Sequence, residues 1–407
     1  MSERPPSWKR RAYNVAALRA LARRRLPRAI FDFGDGGAED ERTLRRNEAA
    51  FEEIRLLPRP LEGAAERDLS LELFGQRLSL PVIIGPTGLS GLFWPDGERA
   101  AARAAAAAGT AFCLSHGSVC TLEELAATGV SPRWMQVFVY RDRGLTREFV
   151  ERAQAAGYDG LVVTVDNQII GHRERDTRNG FTIPPRFRAA DLAAMAIKLP
   201  WLLRMGLRLP RLTFANYRRP GQSGDIKALA ARMTGMLDPS LSWRDIDWLR
   251  GLWTGPLIVK GILHPAEAKG ALEHGADGLV VSNHGGRQLD HGRGAIEMLP
   301  EIVEAVRGRA EIVVDGGFMR GTDVVKAMAL GADAVGLGRF TGFALAAAGE
   351  AGVVRALELL ERETRACLGL LGVTRYDALE PAHLCAAEPV GEPGLGSVVP
   401  RLGIDAW

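Results

Sequence analysis

Short apolar runs recur along the chain, each closed by polar residues or glycine: Val82 to Gly85, Ala111 to Leu114, Trp134 to Val139, Gly160 to Val165, Leu257 to Lys260, Gly278 to Ser282, Glu311 to Asp315 and Ala334 to Gly338. Runs this short and this rich in Val, Ile and Leu read as strands buried on both faces. Most are separated by stretches with apolar residues at helical spacing, among them Glu98 to Ala108, Thr146 to Ala156, Pro265 to His274 and Thr322 to Leu330.

Successive runs are roughly 20 to 35 residues apart, the span that a parallel crossover through a helix requires. Between the fourth and fifth, about 90 residues intervene, and an excursion is expected there. A doubly wound open sheet alternates strands and helices in the same way, but eight units in about 260 residues match a closed (β/α)8 barrel better. The predicted architecture is α/β, a TIM barrel over residues 81–380 with a helical extension over 1–80 packed on it and an insertion at about 186–220. Residues 381–407 form a tail without a recognisable motif.

In such a barrel the residues that end the strands converge on one face. Here they are Pro86, Thr87 and Gly88, then Ser115, Gln136, the Thr164-Val165-Asp166 stretch, Lys260, Ser282 to Arg287, Asp315-Gly316-Gly317, and Gly338-Arg339. Loop ends are commonly polar, so polarity alone does not make them a site. Strands seven and eight are more specific, because their glycines and Arg339 stand where barrels bind phosphate. A phosphorylated cofactor is expected. No Walker motif is present and no strand-Gly-x-Gly-x-x-Gly-helix unit opens the chain, which turns the choice away from a nucleoside triphosphate or a nicotinamide dinucleotide.

The segment Ser282-Asn283-His284-Gly285-Gly286-Arg287-Gln288-Leu289-Asp290 adds a base that titrates near neutrality and a cation that can hold a carboxylate through two hydrogen bonds. A polar loop whose histidine caps or packs would use similar residues. The nine residues together, however, resemble nearly letter for letter the active-site signature of the FMN-dependent 2-hydroxy acid dehydrogenases and oxidases, a family that includes glycolate oxidase, L-lactate dehydrogenase and mandelate dehydrogenase. The resemblance runs from about Val15 to about Gly372, and the segment Ile84 to Gly91 is similar to that of mandelate dehydrogenase.

The resemblance implies FMN, with Pro86, Thr87, Gly88, Ser115, Gln136, Thr164, Ser282, Asp315, Gly316, Gly317, Arg320, Gly338 and Arg339 around it and Lys260 beside the N1 and O2 edge of the flavin. It implies oxidation of an (S)-2-hydroxy acid to the 2-oxo acid. His284 would be the base, Asp166 would orient its imidazole, and Arg287 with Arg173 would bind the carboxylate. Asp166 as a cap, and Arg173 as one member of a surface ion-pair cluster, are the competing readings.

Three positions depart from the family pattern. Phe33 and Phe138 stand where many members carry tyrosines that hydrogen-bond the substrate, and Tyr140, on the same strand face as Phe138, is a candidate replacement. Met319 stands where relatives usually have a phosphate-binding arginine, leaving Arg320 and Arg339. In the family a glycine at Gly88 goes with dehydrogenases, and Gly117 with Phe33 and Phe138 describes a roomy apolar pocket for an aromatic or long-chain, mandelate-like acid. The rivals are an oxygen-using oxidase, an enzyme acting on a peptide or tailoring intermediate, and a noncatalytic flavin-binding scaffold.

Composition alters this picture at one place. With 46% hydrophobic and 25% charged residues the chain is ordinary for a globular enzyme, and a net charge of +3 gives no reason to expect nucleic acid. Yet Arg186, Arg188, Lys198, Arg204, Arg208, Arg211, Arg218 and Arg219 face a single acid, Asp191, across residues 186–219, a local charge of +7. Apolar residues from Leu192 to Leu207 are interleaved with them in runs too short to span a bilayer. A basic amphipathic segment lying on an anionic membrane is expected, where mandelate dehydrogenase has its membrane segment, with a membrane quinone as electron acceptor. A solvated loop or an oligomer contact is the alternative. Four cysteines without CxxC spacing and an N-terminus without a signal-peptide pattern read as a reduced, cytoplasmic protein with no metal site. The resemblance makes a tetramer the expected assembly.

Overall fold

The computed structural model describes residues 6–181, 193, 195–206, 212–217 and 235–387. Eight parallel strands close into a barrel: β1 (Val82–Ile84), β2 (Ala111–Leu114), β3 (Arg133–Val137), β4 (Gly160–Thr164), β5 (Leu257–Ile262), β6 (Gly278–Val281), β7 (Glu311–Asp315) and β8 (Ala334–Leu337). Each pairs with its sequence neighbours, and β8 returns to β1 through Val335 opposite Val82.

The continuous apolar character of the runs has a direct cause. Alternate residues, among them Ile83, Val162, Ile258, Val280 and Val313, fill the barrel interior, while Val82, Ile84, Leu161, Val163 and Val259 pack outward against the helices. A short hairpin, Leu71–Leu73 with Gln76–Leu78, plugs the N-terminal end of the barrel, and Phe74 at its turn packs edge-on against Trp134 with centroids 5.4 Å apart. The opposite, C-terminal end is left open for the strand-end residues.

Two strands end differently from their apolar runs. β3 stops at Val137, and the chain leaves the sheet so that Tyr140 can bridge to Leu237 of the excursion. β5 continues past Lys260 through a bulge at Gly261, whose φ of +106° suits glycine and where a Cβ would come within 2.7 Å of Asp166.

The N-terminal helices α1 (Val15–Arg25), α2 (Arg28–Asp35) and α3 (Arg42–Ala49) reach the open end of the barrel, and α1 packs on α5 (Arg339–Ala348), which follows β8. Approach there is close: a Cβ on Gly286 would lie 2.5 Å from Leu44 N, and one on Gly317 would lie 2.1 Å from Asn47 O. At the other end of the chain, Leu384–Ala386 pairs antiparallel with Ile54–Leu56, which fastens the first residues of the tail to the N-terminal extension. Residues 388–407 lie outside the described residues.

Of the excursion, the described parts include α4 (Leu199–Met205) and the turn Ala215–Tyr217. Lys198 and Arg204 are described; Arg186, Arg188, Asp191, Arg208, Arg211, Arg218 and Arg219 lie outside the described residues. α4 buries Trp201 and Met205, and Trp201 donates its indole N–H to Leu92 O at 3.0 Å. Ile197, Leu199 and Leu203 are exposed. No helix among the described residues is long and apolar enough to cross a membrane.

Candidate active site

The loop after β6 turns through three successive left-handed residues, His284, Gly285 and Gly286, with φ of 56°, 65° and 69°. Glycine adopts this conformation freely, whereas His284 is strained in it. Hydrogen bonds hold the turn: His284 N donates to Ser282 Oγ at 3.0 Å, Gly286 N to Asn283 Oδ1 at 3.0 Å, and Asn47 Nδ2 from α3 to the same Asn283 oxygen at 2.8 Å.

The strained turn brings His284 Nδ1 to 2.9 Å from Asp166 Oδ1. Burial pushes the Asp166 carboxyl up, but His284 and Lys260 outweigh it and hold the carboxyl below its ordinary range. An anionic Asp166 can only accept, so Nδ1 carries the proton and Nε2 is left as a base. Asp166 therefore partners the histidine and is not a helix cap.

Lys260 Nζ donates to Ser282 Oγ at 2.6 Å and pairs with Asp315 Oδ2 at 2.8 Å. Burial lowers its affinity for a proton, yet Asp315 and Asp166 raise it further, so the ammonium is a fixed positive charge at the base of the open end. Arg287 and Arg339 are held by the carbonyls at the C-terminal end of α2. Arg287 Nη1 donates to Phe33 O at 2.9 Å and Gly36 O at 2.8 Å, and Arg339 donates to Asp35 O, Gly36 O and Gly285 O at 3.1, 2.6 and 2.8 Å.

Arg173 makes no ion pair among the described residues, its partners being Arg287 O at 3.5 Å and Gln288 Oε1 at 3.4 Å. The ion-pair cluster of this segment is built by Arg175, with Asp35 at 3.1 Å and Glu41, and by Arg178 with Asp32. Burial and the neighbouring Arg287 push Arg173 down to about 9, and burial with Arg287 pushes Arg339 down to about 10. Cations crowded together and desolvated in this way form a site for anions.

These groups surround a cavity of about 350 Å³. Lys260, His284, Arg173 and Arg287 line it, as do Pro86, Thr87, Gly88, Ser115, Gln136, Thr164, Asp315, Gly316, Gly317, Gly338 and Arg339. Phe33, Gly117, Phe138 and Tyr140 line it as well. Asp166 and Ser282 stand behind this lining and position His284 and Lys260.

Arg320 is a correction. Its side chain pairs with Glu363 at 3.1 Å on the outer helix Glu350–Leu371 and does not line the cavity, because Asp323 caps its backbone N–H at 2.9 Å and starts the next helix with the side chain turned outward. Met319 occupies the cavity wall beside it.

Whether the cavity suits a flavin mononucleotide can be judged from what it leaves unpaired. Gln136 Nε2 and Thr164 Oγ1, on neighbouring strands, are buried without partners beside the Lys260 ammonium. Unpaired donors of this kind are costly unless a ligand satisfies them, and a flavin pyrimidine edge offers the required carbonyl and ring-nitrogen acceptors. At the other end a Cβ on Gly338 would meet nothing within 4 Å, which leaves backbone open to a phosphate beside Arg339. The residues fit FMN.

Of the lining groups that the sequence reading did not single out, Glu48, His116 and Phe214 bear on the chemistry. Glu48 on α3 faces the Arg339 end, and burial pushes its carboxyl up to about 7. His116 sits between the recognised Ser115 and Gly117, and Phe214 comes from the excursion, where no periodicity announced it.

Residues 22–386 match the family described as FMN-dependent dehydrogenase. The L-lactate dehydrogenase of Yersinia pestis (strain Pestoides F) is 44% identical over 381 residues, covering 91% of this chain and 97% of that protein. A crystal structure of the monotopic membrane protein (S)-mandelate dehydrogenase superposes with a TM-score of 0.89 at 39% identity, covering 92% of this chain and 99% of that one. The structure of a mandelate oxidase gives a TM-score of 0.80 at 38% identity, covering 93% and 99%.

Proposed function

The chain belongs to the FMN-dependent dehydrogenase family, and from that premise we propose that it oxidises a bulky, mandelate-like (S)-2-hydroxy acid to the 2-oxo acid at a membrane surface, with a quinone as final electron acceptor. The observation that carries the reading is one cavity that brings the His284 and Asp166 pair together with Arg173, Arg287 and Arg339 and with the rings of Phe33, Phe138 and Phe214.

FMN, when bound, supplies the acceptor for the two electrons. Arg287 and Arg173 bind the substrate carboxylate, which offsets their mutual repulsion. His284 takes the substrate proton at Nε2, and the imidazolium is stabilised by Asp166 on its far side. Lys260 holds a fixed positive charge in the cavity, which would stabilise negative charge on a reduced flavin bound there. The aromatic residues exclude water from the reacting carbon and accept an aryl group by shape.

The exposed Ile197, Leu199 and Leu203 on and beside α4, flanked by Lys198 and Arg204, support attachment to an anionic membrane. The similarity to a monotopic mandelate dehydrogenase supports it further. Similarity to a mandelate oxidase keeps a second reading, with dioxygen as the acceptor. Anaerobic mixing of the FMN-loaded protein with each mandelate enantiomer tests the chemistry through loss of the flavin absorbance. Bleaching by the (S) form is expected, and no bleaching by either would overturn the substrate assignment. Stoichiometric peroxide under air would favour the oxidase.

A further inference from the structure

One buried cluster in the cavity takes no part in this chemistry. His116, on the loop after β2, meets two tyrosine hydroxyls: Nδ1 lies 3.0 Å from the Tyr140 oxygen and bonds that of Tyr217, and the two hydroxyls bond each other. Tyr140 follows β3 and Tyr217 comes from the excursion. The three side chains are 8%, 0% and 3% exposed. The imidazole packs on Phe138 with centroids 4.3 Å apart, and its backbone is pinned on both sides, N donating to Gln136 Oε1 and O accepting from Asn216 Nδ2, each at 3.3 Å.

Counting hydrogens shows what this cluster presents. Burial pushes the imidazole down to about 3, His284 adding to the effect, so His116 is neutral. Burial also raises both phenols, which stay protonated. A neutral imidazole and two phenols carry three hydrogens, whereas the contacts among Nδ1 and the two oxygens use two. The hydroxyls belong to residues 0% and 3% exposed and have no other partner among the described residues, so their protons stay inside, one on its way to Nδ1 and one shared between the oxygens. The third hydrogen therefore sits on Nε2. That atom has no partner among the described residues and is not sealed off, and the ring lines the cavity.

Its position defines what it can touch. In the order of the closed barrel β2 stands diametrically across from β6, whose loop carries Arg287. A 2-substituent that crossed the barrel from a carboxylate held at Arg287 would meet the His116 side, where Gly117 leaves space before Phe214, whose ring a Cβ would meet at 3.6 Å.

We propose that His116 donates a hydrogen bond from Nε2 to an oxygen acceptor on the substituent of the 2-hydroxy acid, so that the enzyme prefers an aryl or similarly bulky group bearing ether, carbonyl or hydroxyl oxygen over a plain hydrocarbon one. Tyr140 and Tyr217 are positioning residues that fix the tautomer. The inference rests on the reading of the cavity as a 2-hydroxy acid site.

The test compares 4-methoxymandelate with 4-ethylmandelate, a pair that exchanges the oxygen for a methylene at nearly constant shape, on the FMN-loaded enzyme. About a tenfold preference for the methoxy acid in kcat/KM, carried by KM, is expected, and in His116→Leu the ratio of the two acids should fall to about one. Equal losses on both acids, or no preference in the native enzyme, would overturn the proposal. Nitrogen NMR of the native holoenzyme needs no variant: protonated Nε2 with bare Nδ1 on His116 is expected, and the reverse tautomer would sink the idea. Failure of every 2-hydroxy acid to reduce the flavin would instead overturn the underlying function, and the nitrogen spectrum would still decide the donor.

Discussion

His284 Nδ1 and Asp166 Oδ1 stand 2.9 Å apart although 118 positions separate them in the chain. The contact exists because the bulge at Gly261 leaves room for Asp166 and the left-handed turn at residues 284–286 swings the imidazole back over it. Asp166→Asn keeps the shape but removes the negative charge and offers Nδ1 a donor, which favours the tautomer with its proton on Nε2. Flavin reduction by substrate, followed by stopped flow, should slow by about two to four orders of magnitude with little change in substrate affinity. A native rate would remove Asp166 from the mechanism.

Lys260→Met leaves Asp315 and Asp166 without their shared counter-charge, since the ammonium sits 2.8 Å from Asp315 Oδ2 and also holds Asp166 below its ordinary range. Breaking one side of a buried pair costs about 3–5 kcal/mol. Because Lys260 titrates above its ordinary value in the folded protein, its stabilisation is fully present below that value and is lost only as the pH rises through the folded one. The native apoprotein therefore keeps the pair intact through the neutral range. Calorimetry should show a deficit in the variant at neutral pH that shrinks in acid, as the stranded carboxylates take up protons.

Glu48 should make flavin retention depend on pH. Its folded titration point, raised by burial to about 7, lies above that of the unfolded chain, so it is neutral in mild acid and becomes an anion, at a cost in stability, as the pH rises through 7. Near the phosphate end of the cavity that charge opposes FMN by about 1 kcal/mol, or about fivefold in affinity. Fluorescence titration with FMN should show Glu48→Gln binding more tightly than the native protein at pH 8 and no more tightly at pH 6. Identical curves would place Glu48 away from the phosphate.

Leu199 and Leu203 are 57% and 76% exposed, beside Lys198 and Arg204. Replacing both leucines by Glu removes apolar anchors worth about 1.5–3 kcal/mol each when buried and adds charge of the sign an anionic surface repels. Sedimentation with anionic lipid vesicles should fall more than about tenfold. The flavin spectrum should stay native, and unchanged sedimentation would end the membrane assignment.

The barrel was legible because strands covered on both faces write uninterrupted apolar runs, and all eight strand-end clusters converge on the cavity through residues in or within two positions of those runs. What sequence could not show depends on direction and on distant partners. Arg320 sits beside the glycines of the phosphate end, yet the cap from Asp323 turns it away. His116 was hidden between two recognised neighbours, because its meaning comes from Tyr140 and Tyr217, 24 and 101 positions away. Glu48 lies on a helix of the N-terminal extension, and only the closure of α3 over Gly317 brings it to the cavity.

The excursion after β4 carries the exposed leucines of α4 and, a few residues on, the turn Ala215–Tyr217, which is locked to the barrel by Asn216 through Leu122 N and Ser118 Oγ, each at 2.9 Å. Excising residues 189–216 to free the enzyme from lipid would strip away Phe214 and pull Tyr217 from His116, whereas a cut that ends before Thr213 spares both. On the proposed function, membrane attachment and substrate range would both be written into one stretch of chain. Grafting a relative's whole excursion onto this barrel should then transfer that relative's cellular address and its taste in acids together.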